Sequence, residues 1–291
     1  PSRETIADSV ELMANAHKFD GIVALASCDK IVPGMVMAFA RLDIPAILVN
    51  GGHMAAGEWQ GQSVDLTSIN EGVSKYQEGE LTEEELYELE CSACPGAGSC
   101  AGMFTANTMG CVTEALGLSL TGNSTTGAID PKISEIARRS GHRIMELLEE
   151  GITTSDILTR EAIENAFMVT LALGGSTNTM LHIPAIAQEA GYDVTLEDLD
   201  DLTARVPHLA HMSPSGPWHM EDLAEDGGIP AVMAQIDDLL NLDVPTVDGI
   251  TIGERAENAE WGETVIQPRD DPVHEQGGLV VSNQVEVVGD V

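Results

Sequence analysis

At 291 residues and 43% hydrophobic, the chain can bury a substantial core, with room for one large domain or two. It has no run of eighteen apolar residues, so no membrane span is expected. Its 48 acidic residues outnumber 13 basic ones for a net charge of −35, and such a surface repels phosphate backbones and argues against a nucleic-acid partner.

The acids are dispersed and lysine is scarce, being confined to Lys18, Lys30, Lys75 and Lys132. This is the profile of a protein kept soluble in concentrated salt, where screening shortens to a few ångströms and self-repulsion is muted. A salt-loving cytoplasm is the expected setting. No export signal is evident, although the sequence opens on Pro1 rather than Met and reads as a piece of something longer. Five cysteines (28, 91, 94, 100, 111) make an odd set without an export signal, which argues for free or metal-bound thiols over a disulfide framework.

In chain order, apolar positions at helical spacing predict a helix over 4–17, and the run 21–27 predicts a buried strand. A helix from about Pro33 to Arg41 follows, with proline in its first turn, and then a second strand over 44–49. This strand–loop–helix–strand unit has the length of a βαβ crossover. An acidic helix is predicted over 79–90, with Thr82 as cap and Glu85 three residues on. A long apolar helix is predicted over 102–120, and further helices over 131–150, 159–173, 179–190, 195–204 and 228–240. From about Val244 the texture turns to short Pro-, Gly- and Val-rich segments, and 246–250 and 278–281 read as strands. The expected fold is α/β, a parallel sheet wrapped by helices, with the start of a β-barrel-like second domain. The expected organisation is an α/β domain over 1–244 and an incomplete β domain over 245–291.

The most informative stretch is Cys28-Asp29-Lys30-Ile31-Val32-Pro33-Gly34, at the end of the first predicted strand, where α/β proteins place their chemistry. Thiolates suit iron–sulfur clusters or zinc and carboxylates suit magnesium or manganese, so adjacent ligands of both kinds suggest two inorganic centres facing one substrate. The second thiol-bearing loop runs Cys91-Ser92-Ala93-Cys94-Pro95-Gly96-Ala97-Gly98-Ser99-Cys100. A zinc site would need another Cys or His pair at similar spacing, and none is evident. Cys91, Cys94 and Cys111 read as small buried hydrophobes. Cys100 sits in a glycine-lined loop before a helix, where the helix N-terminus would stabilise a thiolate.

Gly174-Gly175-Ser176-Thr177-Asn178 has two readings: a tight helix–helix connection, capped by Thr177 or Asn178, or a loop whose hydroxyls and N–H groups hold a substrate carboxylate. His219-Met220-Glu221-Asp222 precedes a helix, and capping by its acids is expected. His53 is either pocket-lining or an ordinary loop histidine.

Together, Cys28-Asp29-Lys30-x-x-Pro33-Gly34, the Ala93–Cys100 loop running into Met103-Phe104-Thr105-Ala106-Asn107-Thr108-Met109, and Gly174–Asn178 resemble the dihydroxy-acid dehydratase and phosphogluconate dehydratase family. The resemblance spans residue 1 to about 240, fades after about 265, and leans towards the dihydroxy-acid branch over the sugar-acid branches. It implies that Cys28 and Cys100 bind an iron–sulfur cluster, [2Fe–2S] in this branch. It implies that Asp29 binds Mg²⁺ and that Lys30, carbamylated, is an oxygen ligand of the same ion; a bare ammonium has no lone pair, but its carbamate has. On the second reading of the 174–178 loop, Ser176, Thr177 and Asn178 would contact substrate. A third cluster cysteine and another Mg²⁺-binding acid lie upstream in the family, and a Mg²⁺-binding glutamate and the proton-abstracting serine lie downstream. The segment alone would therefore hold no catalytic base and be inactive. His53 also stands where related sequences have Pro. The implied reaction is loss of water from a 2,3-dihydroxy carboxylate to give a 2-oxo acid of branched-chain amino-acid synthesis, in a cytoplasmic homodimer. The alternatives are a sugar-acid dehydratase acting on gluconate or its phosphate, and a non-catalytic scaffold of the same fold.

Overall fold

The computed structural model describes residues 2–279. Helices dominate, and the loop that carries Cys28, Asp29 and Lys30 leaves one short parallel strand pair. Helix α1 (Ser2–His17) leads into β1 (Ile22–Ala26), α2 (Ile31–Leu42) and β2 (Ala46–Asn50), the expected crossover unit. The strands run parallel in register from Ile22 opposite Ala46 to Ala26 opposite Asn50, so both release the chain at the same end. β2 is buried at every residue, as its apolar run requires. Its second edge is taken by the Leu118 carbonyl, which accepts from Leu48 N at 2.8 Å, and by Ser119 Oγ, which donates to Leu48 O at 2.8 Å. α1 lies close over α2 because Gly34 has no side chain: a Cβ there would sit 2.9 Å from Arg3 O and from the Ile6 side chain.

A small antiparallel hairpin, β3 (Gly57–Trp59) and β4 (Gln62–Val64), precedes α3 (Leu66–Glu78) and α4 (Glu83–Ala93). α4 opens as expected, with Thr82 and Glu85 forming a reciprocal capping box. The hairpin and α3 have no counterpart in the sequence expectation.

The predicted helix over 102–120 is shorter: α5 covers Thr105–Ala115. Residues 101–104 bend around the cysteine loop, and Gly117, at φ +84°, turns the chain out in the left-handed region that glycine adopts without cost. α6 (Pro131–Glu150), α7 (Thr154–Ile157), α8 (Arg160–Ala172), α9 (Thr179–Glu189), α10 (Leu196–Thr203), α11 (Met220–Glu225), α12 (Gly228–Gln235) and α13 (Ile252–Glu257) complete the helices. α12 stops at Gln235, short of the expected 240, and a single 3₁₀ turn follows over Asp237–Leu239.

The expected strand over 246–250 is a turn. Thr246 N bonds Ile250 O at 3.0 Å and Gly249 adopts φ +83°, so the Asp248-Gly249 pair takes the corner that this dipeptide favours. Of the expected strand over 278–281, residues 280 and 281 lie outside the described residues. No barrel closes among the described residues. The α/β class holds, with a single large buried cluster that draws on α2, β2, α5, α8, α12 and the segment from Val244 to Leu279. No described helix is long and apolar enough to cross a membrane.

Candidate metal and cluster site

The site forms where β1 and β2 release the chain. Cys28, immediately after β1, has φ +93°, a left-handed conformation that a residue with a Cβ adopts at a cost of about 1–3 kcal/mol. Its thiol is exposed, while Cys100 is half-buried. Burial raises the Cys100 pKa, and nearby Cys28 raises it further, followed by Cys94 and Asp65. The helix N-terminus expected to stabilise a Cys100 thiolate is thus outweighed: α5 begins only at Thr105, whereas desolvation and negative neighbours act directly on the sulfur.

The Cys100 loop is fixed by a side chain on α5. Asn107 is buried; its Nδ2 donates to Cys100 O at 2.5 Å and Gly102 O at 2.7 Å, and its Oδ1 accepts from Ser99 Oγ at 2.7 Å. Behind the loop lies Asp65, the N-cap of α3. It accepts from Thr67 N at 2.8 Å and from Ser213 Oγ, and its Oδ2 lies 3.3 Å from His219 Nε2. Burial alone would raise its pKa, but bonds from His219, Ser213 and Thr67 prevail and hold it well below the carboxylate range.

Asp29 and Lys30 stand side by side, with Nζ 2.6 Å from Oδ2. Both are partly open to solvent, with side chains 32% and 42% exposed. The other Asp29 oxygen, Oδ1, lies 2.8 Å from Nε2 of buried His182 on α9. Burial raises the Asp29 pKa, but the bonds from Lys30 and His182 outweigh it and the net shift is downward. Burial lowers that of His182.

The loop 174–178 is stitched to the first turns of α5. Ser176 Oγ lies 2.8 Å from Thr105 Oγ1, Asn178 Nδ2 donates to Thr105 Oγ1 at 2.9 Å, and Ser176 N donates to Thr108 Oγ1 at 3.1 Å. Asn178 holds the N-cap position of α9 but makes no side-chain cap bond, because its amide is turned to Thr105. Thr177 is exposed. His53 is buried, its ring nitrogens 3.0 Å from Met54 O and 3.2 Å from Thr125 O, so it pins its loop rather than lining an open pocket. Asp222 caps α11 through His219 N at 2.7 Å, as expected of the acids there. Cys91 and Cys94 are exposed rather than buried, since the end of α4 faces solvent; Cys111 is buried, and burial pushes its thiol pKa up.

Sequence reasoning missed Asn107, Asp65 and His182. The Asp65–Ser68 capping pair was a readable local signal, whereas Asp65–Ser213 and Asp29–His182 join residues with no local relation.

The model of the dihydroxy-acid/6-phosphogluconate dehydratase N-terminal family matches residues 1–255. The chain belongs to that family. It is 54% identical over 282 residues to a dihydroxy-acid dehydratase of Methanothermobacter thermautotrophicus, with 96% of this chain and 51% of the relative covered. It is 52% identical over 283 residues to one of Halothermothrix orenii, again covering 96% and 51%. A third, of Methanococcus maripaludis, is 53% identical over 283 residues, with 97% and 51% covered. The chain thus spans about half the length of the curated relatives it matches.

The donor set suits two inorganic centres. Cys28 and Cys100 are soft donors, and the deprotonation of Cys100 is opposed by burial and by nearby Cys28, a penalty that a bound cation relieves. Asp29 offers hard oxygen beside an amine. Among the described residues no three His, Cys, Asp or Glu side chains converge on one point. The candidate donors among the described residues are therefore the Cys28 and Cys100 thiols and the Asp29 carboxylate, with the Lys30 amine beside it.

Proposed function

We propose that this chain is part of a dihydroxy-acid dehydratase, which removes water from 2,3-dihydroxy-3-methyl carboxylates to give branched-chain 2-oxo acids. The observation that carries the reading is the meeting of the two cysteine loops at the strand ends, with Asp29 and Lys30 next to the earlier thiol. Ser99 N, beside Cys100, donates to Gly52 O at 3.0 Å, and Gly51 N donates to Ala26 O at 3.0 Å and to Ser27 Oγ, beside Cys28, at 3.1 Å. In this reading Cys28 and Cys100 hold a [2Fe–2S] cluster, and Asp29 and carbamylated Lys30 hold Mg²⁺. When bound, these groups supply Lewis acidity towards the leaving 3-hydroxyl and the substrate carboxylate.

The chain's own residues prepare that chemistry. The 2.6 Å ion pair is what an unmodified Lys30 makes with Asp29. Carbamylation exchanges the ammonium for an oxygen donor, so that the two side chains share a cation instead of neutralising each other. Thr177, exposed in a loop anchored by Ser176 and Asn178, can meet a carboxylate without rearrangement of the stitching below it. The proton-abstracting serine and the remaining ligands belong to other parts of the full-length protein.

Iron and sulfide analysis of the anaerobically purified full-length protein, with turnover of dihydroxy-isovalerate and of gluconate, tests the reading. Cluster-dependent turnover of dihydroxy-isovalerate is expected. Exclusive turnover of gluconate would favour the sugar-acid branch, and absence of iron after reconstitution would favour a scaffold. Two of the three arginines of α6 give little support to a phosphorylated substrate, since Arg138 is paired with Glu135 and Arg143 with Glu146 and Glu150. Five free thiols support a reducing cytoplasm, and the homodimer belongs to the same proposal. The acidic composition supports a saline one, for which reversible unfolding on dilution into low salt is the check.

A further inference from the structure

Asp29 is held on the side away from Lys30. His182 Nε2 lies 2.8 Å from Asp29 Oδ1, while His182 Nδ1 lies 3.0 Å from Arg3 Nη1. A guanidinium carries five N–H donors, has no acceptor and does not lose its proton in proteins. Nδ1 must therefore present its lone pair to Arg3, and the ring proton must sit on Nε2, aimed at Asp29 Oδ1. A doubly protonated ring would set two donors against each other at Arg3. The arginine is itself fixed, donating to Leu181 O at 2.8 Å and to Glu4 Oε1 at 2.9 and 2.5 Å. A relay thus runs from α1 through α9 to the loop after β1. His182, 2% exposed, cannot swing out of it into solvent.

We propose that His182 is the positioning residue of Asp29: held by Arg3 as the Nε2–H tautomer, it fixes the rotation of the carboxylate so that Oδ2 is presented to a divalent cation beside Lys30. This rests on the reading of Asp29 as a cation ligand. Carboxylate ligands whose outer partner is removed lose affinity because the free rotor must be ordered again on binding. The relay also predicts which replacements succeed. A glutamine can donate to Asp29 through its amide nitrogen and accept from Arg3 through its oxygen; a leucine of similar bulk can do neither.

The test is Mn²⁺ binding, followed by electron paramagnetic resonance, to anaerobically prepared full-length protein, with circular dichroism melts and cluster absorbance recorded on every variant. His182→Leu is expected to weaken Mn²⁺ about 10–100-fold, and His182→Gln to stay within about threefold of the parent. Arg3→Met, which frees the tautomer but leaves the imidazole, is expected to fall between them with unchanged cluster absorbance. Parent-like binding by His182→Leu, or equal loss in the leucine and glutamine variants, overturns the proposal. Should His182→Leu fail to fold, the glutamine and Arg3→Met variants decide it: parent-like binding in Arg3→Met, or loss in His182→Gln as large as in an Asp29→Asn control, counts against the relay. If Asp29→Asn leaves Mn²⁺ binding unchanged, it is the assignment of Asp29 as a ligand that fails, and the positioning role fails with it.

Discussion

Two charged clusters in this molecule solve opposite problems. Around Arg255 the side chains close on each other. The guanidinium is wholly buried and bonds Glu114 O at 2.5 Å, Ser119 O at 2.9 Å and Asp248 Oδ2 at 2.6 Å. Nearby, the Glu114 carboxylate is saturated by Gly122 N, Ser124 N and Ser124 Oγ. At the ends of β1 and β2, by contrast, Cys28, Asp29 and Lys30 are tied only on their inner side and face solvent on the other. The groups behind this site are neutral ones, His182 against Asp29 and Asn107 against the Cys100 loop. A structural network uses its bonding capacity internally, whereas the proposed ion site leaves its side chains partly open to solvent and rigidifies the backbone behind them.

The comparison breaks most visibly at Arg255. Arg255→Met leaves the Asp248 carboxylate and two carbonyls buried without their cation, and a loss of about 3–5 kcal/mol is expected in the denaturant midpoint. A change under about 1 kcal/mol would mean that water replaces the guanidinium and that the cluster is not closed. Asn107→Ala strands the carbonyls of Cys100 and Gly102; about 1–3 kcal/mol is expected, together with a lower iron content in the purified protein. Full iron loading in that variant would show that Cys100 needs no backbone clamp.

Acid produces a graded effect, its sign fixed by burial at His208 and by hydrogen bonds at Asp65. His208 is buried against His211 and His274, and burial lowers its pKa. The unfolded chain then binds more protons below about pH 6.5, so stability is complete above that value and falls as pH drops towards the folded pKa. Asp65 acts in the same direction at lower pH, because its carboxylate is held below the usual range and its contribution is lost as it protonates. The melting temperature should decline from about pH 6.5 downward, and His208→Gln should flatten the first part of that decline.

The smallest effect has the opposite sign. Cys28 carries a positive φ, so Cys28→Gly should stabilise the cofactor-free protein by about 0.5–1 kcal/mol while abolishing iron binding. A destabilised glycine variant would mean that the conformation is not strained.

What the sequence revealed and what it hid follow from the range of the interactions. The strands ending at Ala26 and Asn50, and the Thr82–Glu85 cap, are local patterns of burial and capping, and they were legible. The hairpin over 57–64 was not, since its strands have three residues each and are largely exposed, with too little apolar alternation to register. Cys28, Asp29, Lys30 and Cys100 stood out by residue type beside a strand end and a glycine-rich loop. His182 did not, because on its own helix it is one polar residue on a buried face, and only the fold brings Arg3 and Asp29 to its two nitrogens. The end of α5 was misjudged for a related reason: the apolar run continues past Ala115, while the backbone at Gly117 turns away.

The central claim, that the sulfurs of Cys28 and Cys100 serve one iron centre, is tested most directly by anomalous scattering at the iron edge from crystals of the anaerobically reconstituted full-length protein. A single iron peak within bonding distance of both sulfurs is predicted. Iron seated away from either sulfur, or no iron at all, would contradict it.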